Sequence, residues 1–561
     1  MPSQPLPRRP PRWRAAAVLA AVWAFCCALE LGKAVHVDDT AHLVIAEHIV
    51  RDPLHPMRAE VFWGVAPAPA HELNQPHLFF YLLAGLMALG AGPLGLQLAM
   101  CALTGLALVA TYRLVRRAAG DETLALFAAA ALGLGPALAP SQNLMTDVPL
   151  LALFTVALAS FVGPGTDRRS VLRLALGAAA VGLACLVKYT GLVLLPVLAW
   201  WLWRHRRRSL WVLAIPIAFL AAWSAFNVWD YGGVHLFGRR ISVAEDAPGL
   251  PAMIGLTAGR GALWVLTLGA MSPFTLAWAP RAAARFGGRR ILVGSAVALP
   301  LLTLGGQLLA AHGPDVLRGE TVIHSFLRGL FFANGVLVLA LSFGAARRAW
   351  ASPIAQLLGW WILGITLFIV VLSPFVAVRH VLLVLPPTLA LLALDPEHPT
   401  TSGTRTAALA LSLVIGLGVG VADWRTADAY RALPARLEAS LAGAPRVLFL
   451  GHWGFQRYAT AAGWTPYVPG QTELRPGDVL VRPANVDHPA VVPEDEPRLR
   501  LRRTVILEAG PLDLFRTVTS RLGYYSVWHG LPWTLTLEPI DRVDLLEVAQ
   551  PSQPSTPISG T

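Results

Sequence analysis

The chain has 561 residues, of which 55% are hydrophobic and 14% charged, against about a quarter charged in an ordinary soluble domain. This excludes a soluble globular enzyme, a disordered chain and a collagen or coiled coil, and leaves a polytopic membrane protein. The 45 Lys and Arg against 33 Asp and Glu, a net +12, do not point to nucleic acid here, because many arginines sit in short clusters between apolar runs, where they set topology.

The chain opens with a basic stretch holding Arg8, Arg9, Arg12 and Arg14, followed by the apolar run 15–29. No small-residue cleavage site precedes a soluble domain, so this reads as an uncleaved signal anchor with its N-terminus inside and residues 33–76 outside. The apolar stretch 77–117 is broken by AGPLG at 91–95. Two spans there would put Arg113, Arg116 and Arg117 outside, so charge favours a surface or half-inserted helix at 77–90 and one span at 96–115. Spans then follow near 122–140, 147–163, 171–187, 190–204, 209–227, 256–279, 291–311, 327–345, 353–372, 381–394 and 405–422, giving thirteen in all. The arginine clusters at 168–169, 204–208, 281–290 and 347–348 fall inside. The four cysteines, Cys26, Cys27, Cys101 and Cys185, all lie in apolar runs and offer neither a disulfide framework nor a Cys-based zinc site. From 423 the composition changes: residues 424–442 read as an amphipathic helix, and RVLFLG and DVLVRP as short buried strands. The expected organisation is a membrane domain over 1–422, a small α/β outer domain over 423–548 and a disordered end at 549–561.

Residues that a helix end does not need for its own stability collect on the outer side. Immediately after the first span comes HVDDTAHLVIAEH, in which Asp38, Asp39 and His42 fall within one helical turn. Adjacent carboxylates at a membrane interface suit a general base or a divalent-cation ligand, while Asp and Thr at a helix start are also ordinary caps. The same loop holds six of the fifteen histidines, His36, His42, His48, His55, His71 and His77. That density would suit Zn²⁺ or Mn²⁺, but without a tight ligand spacing such as HExxH it also fits structural histidines. Glu72 and Asn74 precede Pro76 and the aromatic run from His77. Asp147 heads an inward span, either as an N-cap or as a second polar anchor projecting into a cavity shared with Asp38. Lys188, and Arg379 with His380, stand at outer span ends against the topological charge bias, where either a bound lipid phosphate or snorkelling to ordinary headgroups accounts for them.

The order VDDTAHLVIAEHI, NQPHLFFYLL, NLMTDVPLLALF, LACLVKYTGLVLLP and VRHVLLVLPPTLALLAL resembles bacterial glycosyltransferase family 39 over residues 14–422. This group contains protein O-mannosyltransferases and the lipid A aminoarabinose transferase, and belongs to the C-type (GT-C) membrane glycosyltransferases. The resemblance implies a polyprenyl-phosphate sugar donor, a glycan, lipid or protein acceptor, and a site on the periplasmic face of a bacterial inner membrane. It places Asp38 at the family's first-loop catalytic aspartate, in a motif usually written Asp-Glu, with Asp39 where Glu is usual. Asn74-Gln75-Pro76-His77 matches a motif that commonly ends in two prolines, the second replaced by His77. Asp147 with Pro149 matches the second-loop acidic motif, and Arg379-His380 a common Arg-Tyr pair with the aromatic changed. RVLFLGHWGFQRYATAAG and LRPGDVLV resemble the outer tail of uncharacterised bacterial members.

The chemistry implied is a single displacement in which Asp38 takes the acceptor's proton and Lys188 and Arg379 receive the leaving phosphate. A divalent cation (Mg²⁺, Mn²⁺ or Zn²⁺) on Asp38, Asp147 and His42 is left open. Two rivals differ in where their polar residues sit or in what they keep. A transporter or lipid flippase would hold them near the bilayer midplane in repeated halves, whereas a non-catalytic lipid-binding homologue would lose the acids.

Overall fold

The computed structural model describes residues 12–72, 75–163, 168–238, 249–287, 299–308, 321–395, 400–486, 498–519, 522–527 and 530–549. Among these, seven helices are long and apolar enough to cross a bilayer. Shorter apolar helices, including Trp13–Ala28, Glu122–Leu134 and Asp147–Phe161, accompany them. The expected span at 291–311 falls mostly outside the described residues, as do Arg8, Arg9, Asn74 and the chain end from 550.

Helix α1 (Arg12–Ala28) leads into the first outer loop. That loop is folded: α2 (Asp39–Arg51) buries Leu43, Ile45 and Ile49, and a two-stranded hairpin pairs Glu60–Phe62 with Pro67–Pro69. Helix α3 (Leu78–Ala88) has 11 residues, about 16 Å at 1.5 Å per residue, roughly half of a hydrocarbon core. Its length agrees with the short helix that arginine placement calls for at 77–90. Next comes α4 (Pro93–Ala119), 27 residues long, ended by Gly120 at φ 72° with Arg116 and Arg117 in its last turn. A left-handed glycine cap and terminal cations are what a helix C-terminus favours. Asp121 then caps α5 (Glu122–Leu134), its Oδ1 accepting from the Thr123 and Leu124 amides at 2.7 and 3.1 Å. Helices α6 (Asp147–Phe161) and α7 (Arg168–Val187) follow. Where helices cross most closely, small residues make room: a Cβ on Gly335 would stand 1.9 Å from the Val265 carbonyl oxygen.

One 40-residue helix, Ser402–Leu441, carries the last expected span and the expected tail helix together. Position 422 is therefore helical continuation, and the second half of the helix buries Tyr430, Leu433 and Leu437 against the outer sheet. That sheet has five strands in the order Thr465–Pro466, Val447–Phe449, Val479–Pro483, Asp541–Val548, Leu499–Leu507. Its first three strands are parallel and the rest antiparallel. Between the last two strands in sequence the chain makes an excursion in which Val518, Leu522, Tyr524, Tyr525, Leu531 and Trp533 join the hydrophobic core of the membrane domain. The tail is thus bound to the membrane helices through residues that its composition gave no reason to assign there.

Candidate active site

Asp38 lies where the chain leaves the first outer segment and turns into α2. The residue before it, Val37, has φ 45°, a strained conformation for a β-branched side chain, of the kind that persists where surrounding contacts over-determine it. The tail helix Trp453–Ala461 supplies such contacts: the Val35 amide donates to the Tyr458 hydroxyl at 2.8 Å, and the Thr40 hydroxyl to the Trp453 carbonyl at 2.7 Å. Gly454 permits the approach, since a Cβ there would stand 2.0 Å from the Val35 carbonyl oxygen.

The acids and cations picked out in the sequence form two pairs. Arg379 Nη1 donates to Asp38 Oδ2 at 3.0 Å, with side chains 11% and 13% exposed. Lys188 Nζ donates to Asp147 Oδ1 at 3.0 Å, with side chains 15% and 4% exposed. Opposite charges 341 and 41 residues apart are thereby brought together at helix ends, and Arg379 also stacks over Phe375. Among the described residues the hydrogen bond to Asp38 from another side chain engages Oδ2.

Asp38, His42, Gln75, His77 and Arg379 line one cavity of about 280 Å³. Its apolar walls are largely aromatic: Trp63, Phe80, Phe375 and Trp453, with Tyr525 and Ser526 of the tail excursion closing it. His42 Nδ1 lies 2.7 Å from the Leu144 carbonyl oxygen, which only accepts, so Nδ1 carries the proton. Burial pushes both the His42 and the His77 imidazoles below the usual histidine range, His77 far below, which keeps the rings neutral. Neither ring nitrogen of His77 has a hydrogen-bond partner among the described residues.

The other sequence candidates stand elsewhere. Asp39 is buried behind Asp38, its Oδ2 accepting from the His36 amide at 3.0 Å. Burial lifts its carboxyl to about 7. The buried His380 accepts the Ala377 amide at 3.2 Å on Nδ1, securing the first turn of the short helix Val378–Leu382 while its neighbour Arg379 reaches the cavity. Glu72 is exposed in the turn Ala70–Glu72. The divalent cation left open on Asp38, Asp147 and His42 has no such cluster to show: among the described residues no three His, Cys, Asp or Glu side chains gather in metal-binding geometry. Arg379 and Lys188 occupy one oxygen each of Asp38 and Asp147 and balance their negative charge. The tail residues Tyr525, Ser526 and Trp453 were not foreseen. Their sole sequence signal is aromatic density in GYYSVW and HWGF within an otherwise polar tail.

Residues 74–229 match the family model for dolichyl-phosphate-mannose-protein mannosyltransferase, in agreement over that stretch with the resemblance seen in the sequence. The matched stretch contains Gln75, His77, Asp147 and Lys188. No curated protein matches the chain. Among solved structures it is similar to the Archaeoglobus fulgidus oligosaccharyltransferase tethered to an acceptor peptide, with 12% identity, 81% of this chain covered and a TM-score of 0.47. The chain spans 64% of that protein's length. It is also similar to ArnT from Cupriavidus metallidurans bound to undecaprenyl phosphate, with 14% identity, 96% and 99% of the two chains covered and a TM-score of 0.37. A further similarity is to the S. cerevisiae protein O-mannosyltransferase Pmt1-Pmt2 complex bound to its sugar donor, with 19% identity, 39% and 34% covered and a TM-score of 0.31.

Proposed function

We propose that the chain transfers a sugar from a polyprenyl-phosphate donor to an acceptor hydroxyl at the outer, periplasmic face of a bacterial inner membrane, with inversion at the anomeric carbon. The observation that carries this reading is the Asp38–Arg379 pair at the wall of one cavity, which sets a proton acceptor and a phosphate-binding cation within a single hydrogen bond of each other.

Asp38 Oδ1 takes the acceptor's proton as the acceptor oxygen bonds to the anomeric carbon. The bond from that carbon to the phosphate oxygen breaks, and its electron pair leaves with the polyprenyl phosphate. Arg379 holds the charge that grows on the phosphate. Lys188, oriented by Asp147, adds positive charge beside it. Asp39 stands behind as a support for the Asp38 turn. A cavity of about 280 Å³ lies just below the range of drug-sized pockets. With aromatic faces and neutral His42, His77 and Gln75 around it, that space suits one monosaccharide. Glu72 and Asn74 border the first-loop entrance in sequence and are proposed contacts for the acceptor side.

The test is mass spectrometry of envelope glycans, lipids and proteins from a deletion strain beside its parent. Loss of one sugar from one component is expected and would name donor sugar and acceptor together. An unchanged glycome accompanied by a defect in solute uptake would replace this reading with a transporter.

A further inference from the structure

The loops that carry Asp38, Asp147 and Arg379 come from distant parts of the chain; the first two are tied within a few residues of their site side chains to a buried pair, Asp423 and Tyr525, and the third to the backbone on either side of Tyr525. Lys33 Nζ, five residues before Asp38, donates to Asp423 Oδ2 and to Asn143 Oδ1. His36 Nε2 lies 3.4 Å from Asp423 Oδ1, and its ring meets Tyr525 edge-on. Asn143, four residues before Asp147, donates through Nδ2 to the Tyr525 hydroxyl at 2.8 Å. That hydroxyl donates to Asp423 Oδ2 at 2.7 Å. On the Arg379 side the connection is backbone: the Val527 amide donates to the Val376 carbonyl at 2.6 Å, and the Val378 amide to the Tyr524 carbonyl at 3.2 Å. Asp423 is fully buried, and Lys33 and Asn143 nearly so.

We propose that Asp423 and Tyr525 are positioning residues that fix the base, the second acid and the phosphate-binding arginine relative to one another, so that the outer tail is a working wall of the reaction cavity. An arrangement serving stability alone could lie anywhere in the core. This one bonds the loops of Asp38 and Asp147 directly, joins that of Arg379 through the adjoining backbone of Tyr524 and Val527, and places Tyr525 and Ser526 in the cavity. Removing the Tyr525 hydroxyl keeps the ring and deletes the bonds to Asp423, Asn143 and the Pro140 carbonyl, which loosens the loops, and misplaced reacting groups cost turnover.

The inference rests on the transferase reading, and the experiment separates the two. Full-length Tyr525→Phe in detergent is expected to lower kcat at least tenfold with donor KM within about twofold. In the Asp38→Asn background the same change is expected to have no further effect on residual turnover, because the proton acceptor it positions is gone. Equal losses in both backgrounds, or a kcat unchanged from wild type, overturn the proposal. A readout that needs no turnover is cysteine modification. In Ser526→Cys a polar thiol reagent is expected to react, undecaprenyl phosphate to slow that reaction, and the added change Asp423→Asn to abolish the protection. A thiol that does not react, or protection that survives Asp423→Asn, removes the tail from the cavity wall. Absence of any sugar transfer by wild type, with the protection pattern intact, overturns the transferase reading alone.

Discussion

Lys188 and Asp147 allow a structural role to be separated from a chemical one. Their side chains are 15% and 4% exposed with Nζ and Oδ1 3.0 Å apart, so Lys188→Met leaves a buried carboxylate without its hydrogen-bonded partner. Breaking a buried ion pair from one side costs about 3–5 kcal/mol, and the lower end is expected here because Lys188 is partly open to the outer surface. Adding Asp147→Asn replaces the stranded charge by a neutral amide that keeps some of its hydrogen bonds, at the lower end of the about 1–3 kcal/mol that an unmet polar group costs, so the double variant should recover up to about 2 kcal/mol. The assay is unfolding in mixed micelles with increasing SDS, followed by a thiol-reactive dye, since the four cysteines are all buried in the native protein. Sugar transfer should fall at least a hundredfold in both variants, so stability returns while activity does not. A single variant that loses less than about 1 kcal/mol, or a double variant no more stable than the single, refutes the pairing; recovery of transfer in the double variant refutes the chemical role.

Three further outcomes follow from the same geometry. Because burial lifts Asp39 from 3.8 to about 7, the folded protein holds a proton that the unfolded chain releases near pH 4. Stability should therefore fall as pH rises from about 4 to 7 and level off above, and Asp39→Asn should flatten that slope in the same unfolding assay. Gly335→Ala should destabilise by about 1–3 kcal/mol through the clash with the Val265 carbonyl, while Gly255→Ala, with nothing within 4 Å of the added carbon, should not. Cysteines at positions 65 and 473 should react with an impermeant reagent added to intact cells, and cysteines at 118 and 286 should not; reaction at 118 would mean that α3 crosses the membrane.

Much of this was legible in the sequence, for reasons that also mark where legibility stops. The shortness of α3 agrees with the requirement that Arg113, Arg116 and Arg117 stay on the side of the other arginine clusters, a long-range consistency that charge counting captures. The candidate acids and cations were visible as ions at outer helix ends. Their pairing was not, because Asp38 and Arg379 are joined only by the packing of helices far apart in the chain. Asp423 was passed over for a related reason: at the edge of an apolar run it reads as the first polar residue of a new domain, whereas the helix continues to Leu441 and the carboxylate turns inward to Lys33. His42 offered metal chemistry by type. Its bond to the Leu144 carbonyl and the cations beside the two carboxylates could not be read from spacing. The excursion 515–535 leaves the outer sheet to enter the membrane core, and nothing in its strand-like composition distinguishes a residue that packs on its own sheet from one that packs on another domain.

The central claim is that Asp38 is the proton acceptor in transfer from a lipid-phosphate sugar. The most direct measurement is single-turnover transfer by purified wild type and Asp38→Asn, with donor binding measured in parallel on the same preparations. The account predicts that Asp38→Asn loses transfer by at least a thousandfold while binding the donor within a few-fold of wild type, and that Asp39→Asn loses far less. Normal turnover by Asp38→Asn, or an equal loss in Asp39→Asn alone, would contradict it.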